Sequence, residues 1–133
     1  MIILVDTSVW IDFFNSYESQ ETQTLLDLID QEMEIATCGV VVAEFMQGIR
    51  DKNTLKALDQ QFRDMQWLTP REPDTYLEAA VLFRALRNQG ITIRSTIDCL
   101  IARLAYENNA SLLSRDRDLK MIIDSGILPL KSL

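Results

Sequence analysis

The sequence predicts an α/β fold in which a short parallel sheet carries helices on both faces. Three observations predict it. Short runs suited to strands recur at Ile2–Val5, Glu34–Thr37 and Ser111–Leu113, each too short for a helix. Longer stretches with helical periodicity lie between them, the alternation that builds a parallel sheet with crossover helices. The chain has 133 residues, 47% of them hydrophobic and 25% charged, enough for one sizeable core and typical of an ordered globule. Residues 1–133 are therefore expected to form a single domain.

The elements follow in order. Ile2–Val5 is apolar and β-branched, as a buried strand should be. Asp6-Thr7-Ser8 comes directly after it, and Thr7 or Ser8 is placed to cap a helix through Val9, Trp10, Phe13 and Phe14. Gln20–Gln31 reads as a second helix with Leu25, Leu26, Leu28 and Ile29 inward, and Glu34–Thr37 as a short strand. Val40–Arg50 is longer than a buried strand, so a helix starts near Val40 and carries Glu44 in its second turn. Lys52–Asp64 is a polar helix with Leu55, Leu58 and Phe62 inward, and Met65–Leu68 is a strand closed by Thr69-Pro70.

Pro73 and Gly90 bracket the next helix, whose apolar side holds Leu77, Ala80, Val81, Phe83 and Leu86, with Arg84 and Arg87 facing solvent. Ser95–Ala105 is a helix with Ile97, Ile101, Ala102 and Ala105 as its buried stripe and Asp98 in its first turn. Ser111–Leu113 is a strand, and Ser114 caps a helix bearing Leu119, Ile122 and Ile123 that ends at Gly126. Ile127–Leu130 makes a last strand at the sheet edge, where Pro129 is tolerated. Because the Asp98 helix has no strand of its own, some crossovers carry more than one helix.

Composition excludes several chemistries. The chain has no histidine, so Ser-His-Asp or Cys-His catalysis and histidine-ligated zinc are out. Cys38 and Cys99 are far apart, form no C-x-x-C motif and read as buried free thiols. Any metal site must then use oxygen ligands, which points to Mg²⁺ or Mn²⁺. No apolar run approaches the roughly 18 residues of a membrane span. The N-terminus lacks the features of a signal peptide, so a cytoplasmic protein is expected. The net charge of −7 argues against a large nonspecific nucleic-acid surface.

The acids carry the chemical signal. In a parallel sheet all strands end at one edge, and sites form outside it. Asp6 follows the first strand, Glu44 the second by way of a helix start, Asp98 opens a helix, and Asp116 follows the Ser111–Leu113 strand. Each also has a local explanation: Asp98 and Asp116 suit first helical turns, Asp6 a turn or cap, and Glu44 an ordinary surface. Gathered together, the four could not all stay ionised without a divalent cation. Carboxylate-bound Mg²⁺ suits phosphoryl chemistry, which implies a phosphodiester substrate. Arg94, Arg115 and Arg117 lie beside these acids in sequence and read either as phosphate contacts or as surface charges.

Four segments in order, I-I-L-V-D-T-S-V-W-I-D at Ile2–Asp12, V-A-E-F-M-Q-G at Val42–Gly48, G-I-T-I-R-S-T-I-D-C-L-I-A at Gly90–Ala102 and L-L-S-R-D-R-D-L at Leu112–Leu119, resemble PIN-domain ribonucleases, most of all the toxins of VapBC-type pairs. The resemblance implies a PIN-like α/β/α sandwich. It implies a catalytic set of Asp6, Glu44, Asp98 and Asp116, with metal held by Asp6, Asp98 and Asp116 and with Thr7, Ser114 and Asp118 accessory. It further implies Mg²⁺ or Mn²⁺, an RNA substrate, a homodimer and a cognate antitoxin. Phe45 stands where leucine is common in the family, and Leu119 where phenylalanine is frequent. Trp10, Phe13 and Phe14 sit in a helix too short to bury every face, and read as interface anchors for the antitoxin or as this domain's own core. A basic antitoxin side chain among the acids would block the site.

Two other classes share part of this pattern. A receiver or haloacid-dehalogenase-like phosphotransfer domain also has an Asp after its first strand, but the paired acids and the D-x-D are missing here. A metal-free interaction module would use the acids only as helix caps.

Overall fold

A computed structural model describes residues 1–133. Its sheet comprises β1 (Ile2–Val5), β2 (Glu34–Thr37), β3 (Gln66–Trp67), β4 (Ser111–Leu113) and β5 (Lys131–Ser132). The spatial order is β3-β2-β1-β4-β5, and every pairing is parallel. The helices are α1 (Thr7–Phe14), α2 (Gln20–Asp30), α3 (Gly39–Met46), α4 (Lys52–Arg63), α5 (Asp74–Asn88), α6 (Thr96–Glu107) and α7 (Arg117–Ser125).

Successive strand residues point to opposite faces, and both faces are covered. Leu4, Ala36 and Leu112 lie opposite one another in register and join Leu82 and Leu86 of α5, Ile101 and Leu104 of α6, and Leu119 and Ile122 of α7. Ile3, Val5 and Leu113 face the other way, onto Val9 of α1 and Leu25 and Leu28 of α2. The result is the expected α/β/α sandwich. Cys38 and Cys99 are buried and free. No helix is long and apolar enough to cross a membrane.

Several details differ from the sequence reading. Of the apolar residues expected inward on α2, Leu25 and Leu28 are buried, whereas Leu26 and Ile29 are each 42% exposed. On α5 the buried stripe is Thr75, Ala79, Leu82 and Leu86, and Leu77 and Val81 point outward. That helix is apolar over a wider arc than its neighbours cover, so hydrophobicity alone does not select the inward stripe. On α6 Ile97 is exposed while Cys99 and Leu104 are buried. The last strand is Lys131–Ser132, not Ile127–Leu130. Pro129 lacks the N–H a ladder needs, and pairing with β4 begins beyond it.

The α5 and α6 layer is stapled at one end by Glu107, whose side chain is 7% exposed. It accepts from Thr75 Oγ1 at 2.7 Å and from Arg103 Nε at 2.7 Å.

Candidate active site

From β1 the chain winds to β2 and β3 on one side, then returns to β4 and β5 on the other. The crevice outside the C-terminal ends of β1 and β4 is therefore a topological switch point, where parallel sheets form their sites. The strands are short and end here, so the polar residues after them stand at this crevice.

Asp6 is only 4% exposed. It, and not Thr7 or Ser8, is the N-cap of α1. Its Oδ2 accepts from the Ser8 amide at 3.3 Å, the Ser8 hydroxyl at 2.7 Å and the Ser114 hydroxyl at 3.0 Å. These donors offset the cost of burying the charge. All of them reach one oxygen, which leaves Oδ1 for another partner. Likewise Asp116, and not Ser114, caps α7, through Oδ1 to the Asp118 and Leu119 amides at 2.7 and 3.1 Å. Ser114 accepts from the Asp116 amide at 2.9 Å while donating to Asp6 Oδ2, so it ties the Asp6 carboxylate to the Asp116 backbone.

Asp98, Asp116 and Asp118 each place one carboxylate oxygen within 4.8 Å of the others. With Glu44, Arg94, Ser95 and Ile97 they line a cleft of about 310 Å³. Unit charges about 5 Å apart repel by roughly 3 kcal/mol at an effective dielectric near 20. Burial, followed by the charges of Asp116, Asp6, Asp118 and Glu44, pushes the Asp98 carboxyl up to about 7. The Ser95 hydroxyl caps α6 by accepting from the Ile97 amide and makes no bond with Asp98. Asp98 therefore keeps no donor within the protein. Glu44 is also raised, by burial and by Asp6 and Asp116, against the lowering effect of the Thr7 hydroxyl that donates to it at 3.3 Å.

The tightest trio thus contains Asp118, while Asp6 and Glu44 flank it. Asp118 is already engaged: its Oδ2 accepts from both the amide and Nε of Arg94, each at 3.0 Å. Burial opposes its charge, but these bonds outweigh burial and hold the carboxyl below its usual range. Arg115 turns away from the cleft and pairs with Asp12, and Arg117 is exposed. Sequence reasoning offered Ser8 only as a helix cap and gave Asp12 no role. Both lie in the Ile2–Asp12 segment already singled out, but nothing local marked Asp12 as paired, because its partner is 103 residues away.

An all-oxygen set with one acid lacking any donor fits a hard divalent cation such as Mg²⁺ or Mn²⁺. Arg115 is spent on Asp12, and Arg94 relieves only part of the repulsion, through its bonds to Asp118, so that Asp98 stays raised.

A sandwich of this topology with carboxylates clustered at its switch point defines the PIN class, and the PIN domain family model matches residues 3–123. Over 122 residues the chain is 34% identical to a VapC ribonuclease of Mycobacterium bovis, covering 91% of each. The chain belongs to the PIN domain family, in its VapC ribonuclease group. Its fold is similar to VapBC2 from Rickettsia felis, with a TM-score of 0.74 at 22% identity over 100% of this chain and 98% of that one. It is similar also to VapBC-1 from nontypeable Haemophilus influenzae, with a TM-score of 0.73 at 20% identity over 100% and 97%.

Proposed function

We propose that the chain, as a single PIN domain over residues 1–133, is a divalent-metal-dependent endoribonuclease of the cytoplasm and the toxin of a toxin–antitoxin pair. The observation that carries the reading is the trio of carboxylate oxygens within 4.8 Å at the switch point, next to a buried Asp6. The ribonuclease named among its relatives supports the substrate class.

Asp6, Asp98 and Asp116 would hold Mg²⁺ or Mn²⁺, with Glu44 completing the catalytic set. When bound, the cation supplies the positive charge that activates water and offsets charge developing on the phosphodiester. Ser8 and Ser114 orient Asp6, the α7 amides orient Asp116, and Thr7 orients Glu44. Arg94 orients Asp118 and, being exposed, offers the rest of its guanidinium to a phosphate; Arg117 is placed to do the same. With water as nucleophile the products carry 5′-phosphate and 3′-hydroxyl ends. The test is RNA cleavage with Mn²⁺ and with EDTA, together with the Mn²⁺-induced rise in melting temperature of wild type and Asp98→Asn. Cleavage that survives EDTA, 2′,3′-cyclic phosphate ends, or an undiminished rise in Asp98→Asn would refute the reading.

The partner surface lies beside this site. Trp10, Phe13 and Phe14 of α1, Phe45 of α3 and Phe62 of α4 meet edge to face. They line an apolar groove of about 570 Å³. Phe13 and Phe14 stay 37% and 44% exposed, so neither is spent on this domain's core. The groove suits an apolar antitoxin helix with a basic side chain directed to the acids. Co-purification with the product of the neighbouring reading frame, followed by loss of RNA cleavage in the complex, is the expected result. The outward face of α5, with Tyr76, Leu77 and Val81 exposed, is the surface a second copy would cover in the homodimer.

A further inference from the structure

We infer that the Asp12–Arg115 ion pair is a clamp that sets the spacing between Asp6 and Asp116, so Arg115 is a positioning residue and not a phosphate contact. The inference rests on the metal-site reading above and assigns a role that reading leaves open.

The pair joins the two elements that supply those acids. Asp12 is on α1, about one and two-thirds turns beyond Asp6, and is 5% exposed. A carboxylate buried to this degree needs a fixed counter-charge. Arg115 supplies it with a two-pronged contact, Nε to Oδ2 and Nη2 to Oδ1, the latter 2.9 Å. Its guanidinium carbon also lies 5.4 Å from the centre of the Tyr17 ring. The fork is thus held between Asp12 and Tyr17. Arg94 lines the acidic cleft and Arg115 does not.

The backbone extends the clamp to the acids. The Arg115 amide donates to Ser8 Oγ at 3.1 Å, and Ser8 Oγ donates to Asp6 Oδ2 at 2.7 Å. On one side of Arg115, Ser114 donates to Asp6; on the other, the Asp116 amide donates to Ser114. Ser114 and Arg115 are therefore bonded to α1 and its N-cap, with Asp116 tied on through Ser114, and Arg115 on Asp12 is the one ion pair among these contacts. Without it, the contacts from this segment to α1 and Asp6 reduce to the hydroxyl bonds of Ser8 and Ser114. Partners of this outer kind govern metal affinity by orienting the ligands.

The test compares full-length wild type with Asp12→Ala, Arg115→Ala, the double variant and Arg115→Lys. Three readouts are Mn²⁺ affinity by calorimetry, amide exchange across residues 114–118 in metal-free protein, and the salt dependence of binding to a single-stranded RNA oligonucleotide. Each alanine variant should lose Mn²⁺ affinity by about 10-fold to 100-fold. The double variant should lose no more than either single one, and Arg115→Lys, with one prong, should fall between. Exchange at 114–118 should speed up in both single variants, while the RNA salt slope stays at the wild-type value. Unchanged exchange in both would overturn the clamp. So would a lower salt slope in Arg115→Ala alone, which marks a phosphate contact. A wild type that binds no Mn²⁺ would refute the metal reading, and the exchange comparison would still decide the clamp. If the alanine variants do not fold, Asp12→Asn and Arg115→Lys carry the same comparisons.

Discussion

The Ser114 hydroxyl donates to Asp6 Oδ2 over 3.0 Å, joining the ends of β4 and β1 across the switch point. Ser114→Ala removes one of the donors to a buried carboxylate, and a hydrogen bond to a charged group contributes about 2 kcal/mol. The variant should be less stable by about that amount in urea unfolding. It should also bind Mn²⁺ about 10-fold more weakly by calorimetry, since Asp6 loses its tie to the Asp116 segment.

Asp98 gives the protein a distinctive pH response. Its carboxyl is raised to about 7 by burial and by the surrounding acids, against an unfolded value near 3.9. Between those values the folded state binds more protons than the unfolded one, so stability falls as pH rises. Glu44, also raised, acts in the same direction. The metal-free melting temperature should drop from pH 5 to pH 8, and Asp98→Asn should remove most of the drop. Mn²⁺ affinity should climb through the same interval as the acids ionise.

Arg94 and Arg117 should be separable from Arg115 by salt. Replacing either with alanine removes an exposed cation beside the acids, and the slope of RNA affinity against salt should fall by about one unit each. Filter binding over a salt series measures it. Slopes that stay at the wild-type value in both would mean these arginines only balance local charge.

Phe14 packs edge to face on Phe45 with ring centres 5.8 Å apart, yet it is 44% exposed in the groove. Phe14→Ala should weaken antitoxin binding by about 100-fold, the loss expected of an aromatic anchor. RNA cleavage by the free protein should stay near the wild-type rate, because Phe14 is absent from the acidic cleft. Surface plasmon resonance and a cleavage assay on the same preparation check the two halves.

Glu107 should matter to stability and not to the site. Burial opposes its charge, but bonds from Thr75 and Arg103 outweigh it and hold the carboxyl below its ordinary value. Its stabilisation is present above an unfolded value near 4.3 and lost as pH falls through the lowered one. Glu107→Ala, which strands Arg103 with a side chain only 16% exposed, should cost about 3 kcal/mol by denaturant unfolding.

The sequence by itself determined the order of elements and the placement of most acids. Ile2–Val5 and Ser111–Leu113 announce buried parallel strands, and the residue after a short strand must lie at the sheet's edge, so Asp6 and the Ser114–Asp116 segment could be located by counting. Periodicity likewise placed Asp98 in a first turn. Tertiary structure alone decided which apolar arc of α5 turned inward, because Leu77 and Leu82 are equally apolar and only contact with α6 distinguishes them. It decided that Asp118 is held by Arg94, 24 residues away, and that Arg115 is spent on Asp12, 103 residues away. A charge finds its partner by distance in space once the strands are in register. Neighbouring residues in sequence carry no record of that distance, so the pairing of these arginines and acids was fixed only when the sheet closed.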